Sequence, residues 1–518
     1  MANNELAQTA RSASLISLTA AAGAAVGLVL QLLVAYHFGA SAKTDAYFMA
    51  LSTSEMLSKL LLGGSVAAVF LPLFVERIAR QGLRAAGQLA FNVLHLAAVI
   101  FLIVTALLGL FAEPFVQFIA PGFAPETAQL TILLLRVLLP AFVFLFLVEL
   151  MTATLQALRQ FTYPALTRLI SPLVSIIFIL LFVKLFDIFA LALGVLVGSV
   201  MQLIFLTWRM RRCGLKYRFT ANPRDPAIRR ILTLVYPFLL SVMVTQAAGI
   251  TYRVLVSNLT PGSLAALKYA EKITQLLTIM FLSSVTAVIY PTLSLKASSH
   301  DRDGLRDTIA LAIRLITFIT VPIIIGVAIL REPFIAIVFQ RGSFQAADAA
   351  LTSRALLYLI LGLTANGISS VLGHATLALQ ETRAAVAVTV ASHAIALFLF
   401  VLLVPPLAHA GLALASSLVP IAIAFLYFLY LTRFIPRLIT IFWYQSFLPV
   451  CLLGVALSVT VTVVHNFTIS LTPSPAVQLA APALAGILVF FGGAAAWRIP
   501  EMNVLSSLVR QSVNKIRP

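Results

Sequence analysis

The chain has 518 residues, 61% hydrophobic and 10% charged, with a mean hydropathy of +1.04 and a formal net charge of +18. No soluble interior hides that much apolar surface, and the apolar runs approach the ~20 residues of a membrane-crossing helix, without the ~10-residue alternation of an outer-membrane barrel. Soluble folds and barrels are excluded, and an all-α polytopic membrane protein is expected.

Taken in chain order, the runs predict fourteen spans: 14–37, 45–75, 86–112, 127–157, 161–184, 188–208, 230–257, 264–295, 305–330, 347–379, 384–404, 409–432, 441–465 and 475–497. The opening "MANNELAQTARSAS" carries one arginine and no small-residue cleavage site follows the first run, so that run is expected to stay in the membrane. Connections after even-numbered spans are rich in positive charge, for example Arg77, Arg80 and Arg84, then Arg209 to Arg230, then Lys296, Arg302 and Arg306. Connections after odd-numbered spans carry little beyond Lys43, Lys184, Arg331 and Arg341. Positive residues are retained on the cytoplasmic side, so both termini are expected there. The basic loop 209–230 then faces anionic membrane lipids, and no nucleic-acid partner is needed to explain the charge.

Along these spans one phrase occurs twice. "SVAAVFLP" at 65–72 returns as "SVTAVIYP" at 284–291, a shift of 284 − 65 = 219, and "GLR" at 82–84 returns at 304–306, a shift of 222. "AL" at 157–158 returns at 378–379, and "ALAL" at 190–193 meets "GLALA" at 411–415, both shifted by 221. Spans one to six and seven to twelve therefore read as two parallel six-helix repeats, with two C-terminal helices added. The implied domains are an N-lobe (1–212), a basic cytoplasmic linker (213–229), a C-lobe (230–437), and a C-terminal pair of spans with a cytoplasmic tail (438–518).

Charges inside spans mark functional paths more often than packing. In span two Asp45, Ser52, Glu55, Lys59 and Gly63 share one helical face; in span eight Lys268, Glu271, Lys272 and Gln275 share another. Two readings stand. The acidic and basic groups neutralise one another at helical spacing, or the stripes line a cavity between the lobes, with Arg253, Arg136 and Arg168 tipping it positive. A positive, wet cavity suits a phosphate-bearing substrate. The two cysteines, Cys213 and Cys451, offer no disulfide framework, and His374, His393 and His465 stand apart from acidic or thiol partners, so no metal site is expected. There is no phosphate loop and no HExxH, so no catalytic residues and no cofactor are expected, and transport would draw on the membrane potential or on H+ or Na+ gradients.

Several stretches carry a family resemblance: "FGASAKTDAYFMAL" (38–51) leading into "GGSVAAVFLPLF", "GSLAALKYAEKITQLL" (262–277) leading into "YPTLSLKAS", and "VFQRGSFQAADAALTSRALLYLILGL" (338–363). They resemble the MurJ/MviN family of the MOP exporter superfamily, in order up to about residue 432. The resemblance implies a flippase in the bacterial cytoplasmic membrane that moves lipid II, the polyprenyl-diphosphate-linked peptidoglycan precursor, by alternating access. It also implies an arginine-rich cavity and a lipid-tail groove formed with spans thirteen and fourteen. Asp45 matches the acid of the family's "ADAF", Lys59 the second residue of its "RR" pair, Glu271 and Lys272 the "DR" of "YADR", and Arg341 the arginine of "RGxF" in an outer loop. The sequence departs from the family in its first span, where "GAAVGLVLQLL" (23–33) is uncharged, and at Gly63, where the family has glutamate. Alternatives within reach of the same pattern are a flippase for an exopolysaccharide or O-antigen repeat unit, a cation-coupled small-molecule exporter, and a scaffold for envelope-synthesis enzymes.

Overall fold

The computed structural model describes the backbone of residues 2–62, 65–215, 219, 220, 222–435, 438 and 448–502, and within these all side chains except those of 2–18, 57–62, 65–69, 232, 234–244, 283, 284 and 286–288. Among the described residues it is entirely helical, with seventeen α-helices and one π-helical turn. Among these described residues, eleven segments are long and apolar enough to cross a membrane. Three further stretches are too charged or too interrupted for that criterion yet consistent with the remaining spans of a fourteen-span bundle: α2 (Ala42–Leu62) with the start of α3 (Ser65–Leu110), α8 (Pro226–Ser257), and α9 (Ser263–Leu277) with α10 (Ser283–Ser298).

The chain divides into two compact units, 1–268 and 269–518. In the first, α1 (Ala2–Phe38) packs on α6 (Thr162–Phe186), and α5 (Pro125–Ala157) is surrounded by α2, α3 and α7 (Phe189–Arg212). Gly194 and Gly198 of α7 form a small-xxx-small stripe. A Cβ on either would meet the Cα of Ser175 or Ser171 at 2.7 and 2.8 Å, so α6 and α7 approach backbone to backbone. Gly82, with φ of 80°, breaks α3 between the second and third spans. Ahead of α8, Asn222 is held to α3: Asn92 donates to the Asn222 carbonyl (3.0 Å) and accepts from the Asn222 N–H (2.6 Å).

In the second unit α11 (Arg302–Phe339), α12 (Ala346–Ile360), α13 (Leu363–Ala378), α14 (Thr382–Leu407) and α15 (His409–Leu431) form the bundle. Two added helices, α16 (Leu448–Leu471) and α17 (Pro475–Ala496), pair with each other and pack on α11. Phe318 and Phe490 anchor that seam. Arg314 of α11 lies 3.5 Å from the buried carboxylate of Glu501, just beyond α17. A π-helical turn at Thr278–Leu282 interrupts the long eighth span, a bend that no proline or glycine in the sequence marks.

The backbone carries the repeat as clearly as the side chains. Arg159 and Gln380 follow corresponding helices with φ of 57° and 62°, at a separation of 380 − 159 = 221. Asp187 and Ala408 hold nearly the same unusual geometry, φ 50° with ψ −136° and φ 52° with ψ −131°, again 221 apart. Such conformations are uncommon outside glycine, and their recurrence at one offset marks two copies of one helical template.

Candidate functional site

Asp45 stands in the first turn of α2 and is 4% exposed. Its carboxylate accepts from the backbone N–H of Gly262 at 2.6 Å and of Ala265 at 2.8 Å, closing the N-terminus of α9. The turn Thr260–Ser263 before α9 needs Gly262: its φ is +88°, and a Cβ there would run into the Ala40 carbonyl. This carboxylate is therefore committed to protein backbone, which satisfies two of the donors a helix start leaves open.

Two turns along α2, Ser52 meets Arg253 of α8. The guanidinium donates to the Ser52 carbonyl at 2.7 Å and lies 3.4 Å from both the Ser52 hydroxyl and the Met56 sulfur. Its neighbour Tyr252 presents its ring 5.8 Å from the Lys268 ammonium. Asp45, Arg253 and Lys268 thus all lie where α2, α8 and the beginning of α9 meet, inside the first unit.

Glu55, one turn beyond Ser52, is close enough for its charge to act on the Arg253 guanidinium. It is exposed and lines a cleft of about 600 Å³ within the first unit, together with Glu149, Thr152 and Gln156 of α5, Arg168 of α6 and Gln202 of α7. The cleft mixes both charge signs, amide and hydroxyl groups with apolar side chains of α5, among them Phe142, Leu145 and Val148. Glu149 was not among the sequence candidates, although a lone acid in the apolar run 127–157 is the signal that finds it. Arg136 lies apart from the cleft residues, donating to the Gly109 carbonyl at 3.2 Å.

Of the remaining candidates, the Lys59 side chain lies outside the described residues. Glu271 and Lys272 are half-buried on α9, where Lys272 donates to Gln275 at 3.3 Å. Arg341 is exposed in the turn between α11 and α12, with its guanidinium 3.2 Å from the Ile337 carbonyl. No group of three His, Cys, Asp or Glu side chains among the described residues is placed to hold a metal ion.

The second unit holds two clefts of contrasting chemistry. One, of about 470 Å³, is lined only by apolar residues of α9, the π-helical turn, α11, α16 and α17, among them Ile323, Gly326, Phe334, Val461 and Ile487. The other, of about 670 Å³, is polar and lined by Arg331, Arg354, Tyr358, His465 and Gln478 among others.

Residues 34–474 match the family model described as lipid II flippase MurJ. A probable lipid II flippase MurJ of Rickettsia prowazekii is 25% identical over 395 residues, 76% of this chain and 78% of the relative. The lipid II flippase MurJ of Burkholderia cenocepacia is 25% identical over 402 residues, 75% of this chain and 77% of that one. Among solved structures, a lipid II flippase MurJ in an inward closed conformation superposes with a TM-score of 0.79 at 25% identity, covering 93% of this chain and 98% of its own. An inward-facing MATE multidrug transporter of the MOP superfamily shares the fold alone, with a TM-score of 0.69 at 15% identity over 80% of this chain and 94% of its own.

Proposed function

We propose, from the premise that the chain belongs to the lipid II flippase MurJ family, that it moves lipid II from the inner to the outer leaflet of the bacterial cytoplasmic membrane by alternating access. The observation that carries this reading is the family match across residues 34–474, an extent that runs from the end of the first span to the connection before the fourteenth. The helical, multi-span architecture agrees with it, as does the superposition on a flippase of that name over nearly the whole chain.

The chemistry of translocation asks for a polar path that replaces the hydration of a diphosphate and a saccharide while the lipid tail stays in hydrocarbon. Lys268, Lys272 and Lys59 supply point charges for the phosphates. The family's arginines on the first span are missing here, and Arg168 of α6 is well placed to supply one: its Cβ lies 3.9 Å from where a side chain at Gly23 of α1 would begin. The polar cleft of Glu55, Glu149, Gln156 and Gln202 offers donors and acceptors to the sugar and peptide part of the headgroup. Asp45 and Arg253 hold helix ends and helix pairs in register around that path. Both termini face the cytoplasm in this reading, in keeping with the positive loops, and the membrane potential or an H+ or Na+ gradient resets the cycle.

Replacement tests the reading. A bacterium depleted of its own lipid II flippase and given this chain should recover lipid II on the outer face, and Lys272→Ala should lose most of that recovery. With the protein present in the membrane and no lipid II exposed, the substrate is another saccharide on the same carrier, and the uncharged first span becomes its explanation.

A further inference from the structure

The cleft of the first unit has an apolar end that a sugar headgroup leaves unused. Along α5, Phe142, Leu145, Glu149, Thr152 and Gln156 follow one another at intervals of 3, 4, 3 and 4, so they share one helical face, and all of them line the cleft. That face changes character along its length: a phenyl and an isobutyl group, then a carboxylate, then a hydroxyl and an amide. From Leu145 to Glu149 the rise is about 6 Å. A saccharide has hydrogen-bonding groups for the polar part of this face and nothing for the apolar part.

From α7 the cleft receives an acceptor that lacks a donor. Gln202 lines the cleft and is 6% exposed. Its Nε2 donates to the Thr167 carbonyl at 2.6 Å, which fixes the sense of the amide, since the reversed amide would set oxygen against oxygen. Oε1 is then buried without a hydrogen-bond partner among the described residues. An acceptor left in that state costs stability, and a ligand that brings a donor recovers it. Glu55 of α2 and Glu149 add two carboxylates to the lining, against the single guanidinium of Arg168 of α6. Arg253 acts on Glu55 from outside the cleft, so Glu149 and Gln202 are the acceptors best suited to a cationic donor.

We propose that this cleft is also a binding site for amphipathic amines, in which an ammonium donates to Glu149 and Gln202 and an apolar body lies toward Leu145 and Phe142. Such a ligand matches the face of α5 in both its parts, and its N–H groups supply what the Gln202 amide lacks. It enters from the cytoplasm: Gln156 stands next to the end of α5, and the connection that follows carries Arg159, on the cytoplasmic side by the bias of positive charge. The binding does not depend on the flippase reading. Within that reading, a bound amine stands where the polar groups of the headgroup would go and competes with them.

The experiment uses the full chain in phosphatidylcholine nanodiscs, without lipid II. The probe is dansylcadaverine, a fluorescent primary amine, beside its N-acetyl derivative, which keeps the body and loses the charge. Fluorescence anisotropy, corrected for empty nanodiscs, is expected to show saturable binding of the amine and binding of the acetyl form weaker by about ten-fold, the worth of one charge-assisted hydrogen bond. Glu149→Gln should weaken the amine by about the same factor and leave the acetyl form as it was. Gln202→Leu, which removes the acceptor and keeps the bulk, should weaken the amine several-fold, and Leu145→Asn should weaken both probes. Because Glu149 and Gln202 lie on different helices, a loss in both variants is not the failure of one helix. The parent chain alone can overturn the proposal, by binding the two probes equally or by binding neither saturably. Amine binding unchanged in both Glu149→Gln and Gln202→Leu would overturn it as well. With lipid II absent, none of these outcomes bears on the recovery of lipid II exposure, so the two claims stand or fall separately.

Discussion

Gly262 and Asp45 show how one contact decides what a charged residue in a membrane protein is for. At Gly262 the backbone is left-handed, the N–H is bound by Asp45, and the space a Cβ needs is filled by the Ala40 carbonyl. Gly262→Ala must therefore both strain the backbone and push Ala40 aside, and about 2 kcal/mol or more of stability is expected to go. Thermal unfolding of the purified protein checks this; a midpoint equal to the parent's would mean that the turn is not held as described. The sequence placed Asp45 and Glu55 on one stripe because helical spacing was all it offered. The fold separates them: Asp45 turns to the backbone before α9, and Glu55 opens on the cleft of α5, α6 and α7. Spacing within one helix sets the face but not the neighbour that covers it. For the same reason spacing could not say which group Arg253 meets, whereas in the fold its guanidinium clamps the Ser52 carbonyl.

At the level of elements, helix existence was legible and helix interruption was not. Long apolar runs and basic connections locate the spans, because membrane solvation acts on every residue of the run. The π-helical turn at Thr278–Leu282 left no such mark in the sequence; in the fold it lies against α11 and α13. The paired junctions at Asp187 and Ala408 are another feature only the backbone discloses. Asp187 has a partner, Lys43, at 2.5 Å, whereas Ala408 brings no polar side chain to offset its φ of 52°. Ala408→Gly relieves that conformation and gives back part of the gain as chain entropy in the unfolded state, so a net stabilisation of about 1 kcal/mol is expected. A raised thermal midpoint in Ala408→Gly, measured beside the parent in the same detergent, is the outcome that fits. A lowered one would show that the junction is not strained.

For the whole molecule the repeat carries the topology. Two copies with an even number of spans keep the same orientation, whatever happens in the loops. Each unit can be tested by itself. Gln81 lies just before the Gly82 break in α3 and Ser299 lies before α11; both are exposed, and both belong to connections after even-numbered spans. Glu126, in the first turn of α5, and Ser343, in the turn before α12, lie at connections after odd-numbered spans. In a variant lacking Cys213 and Cys451, single cysteines at Glu126 and Ser343 should react with an impermeant maleimide in intact cells stripped of their outer barrier. Cysteines at Gln81 and Ser299 should react only after the inner membrane is opened. The same answer from both units means that charge bias and repeat point the same way, because a unit inserted upside down would expose its Arg-rich connections and bury its poor ones. Opposite answers would mean an odd number of crossings per copy, and so inverted repeats. The shared geometry at Asp187 and Ala408 would then describe two lobes related by an axis in the membrane plane, and one lobe would hold its positive loops against the usual bias.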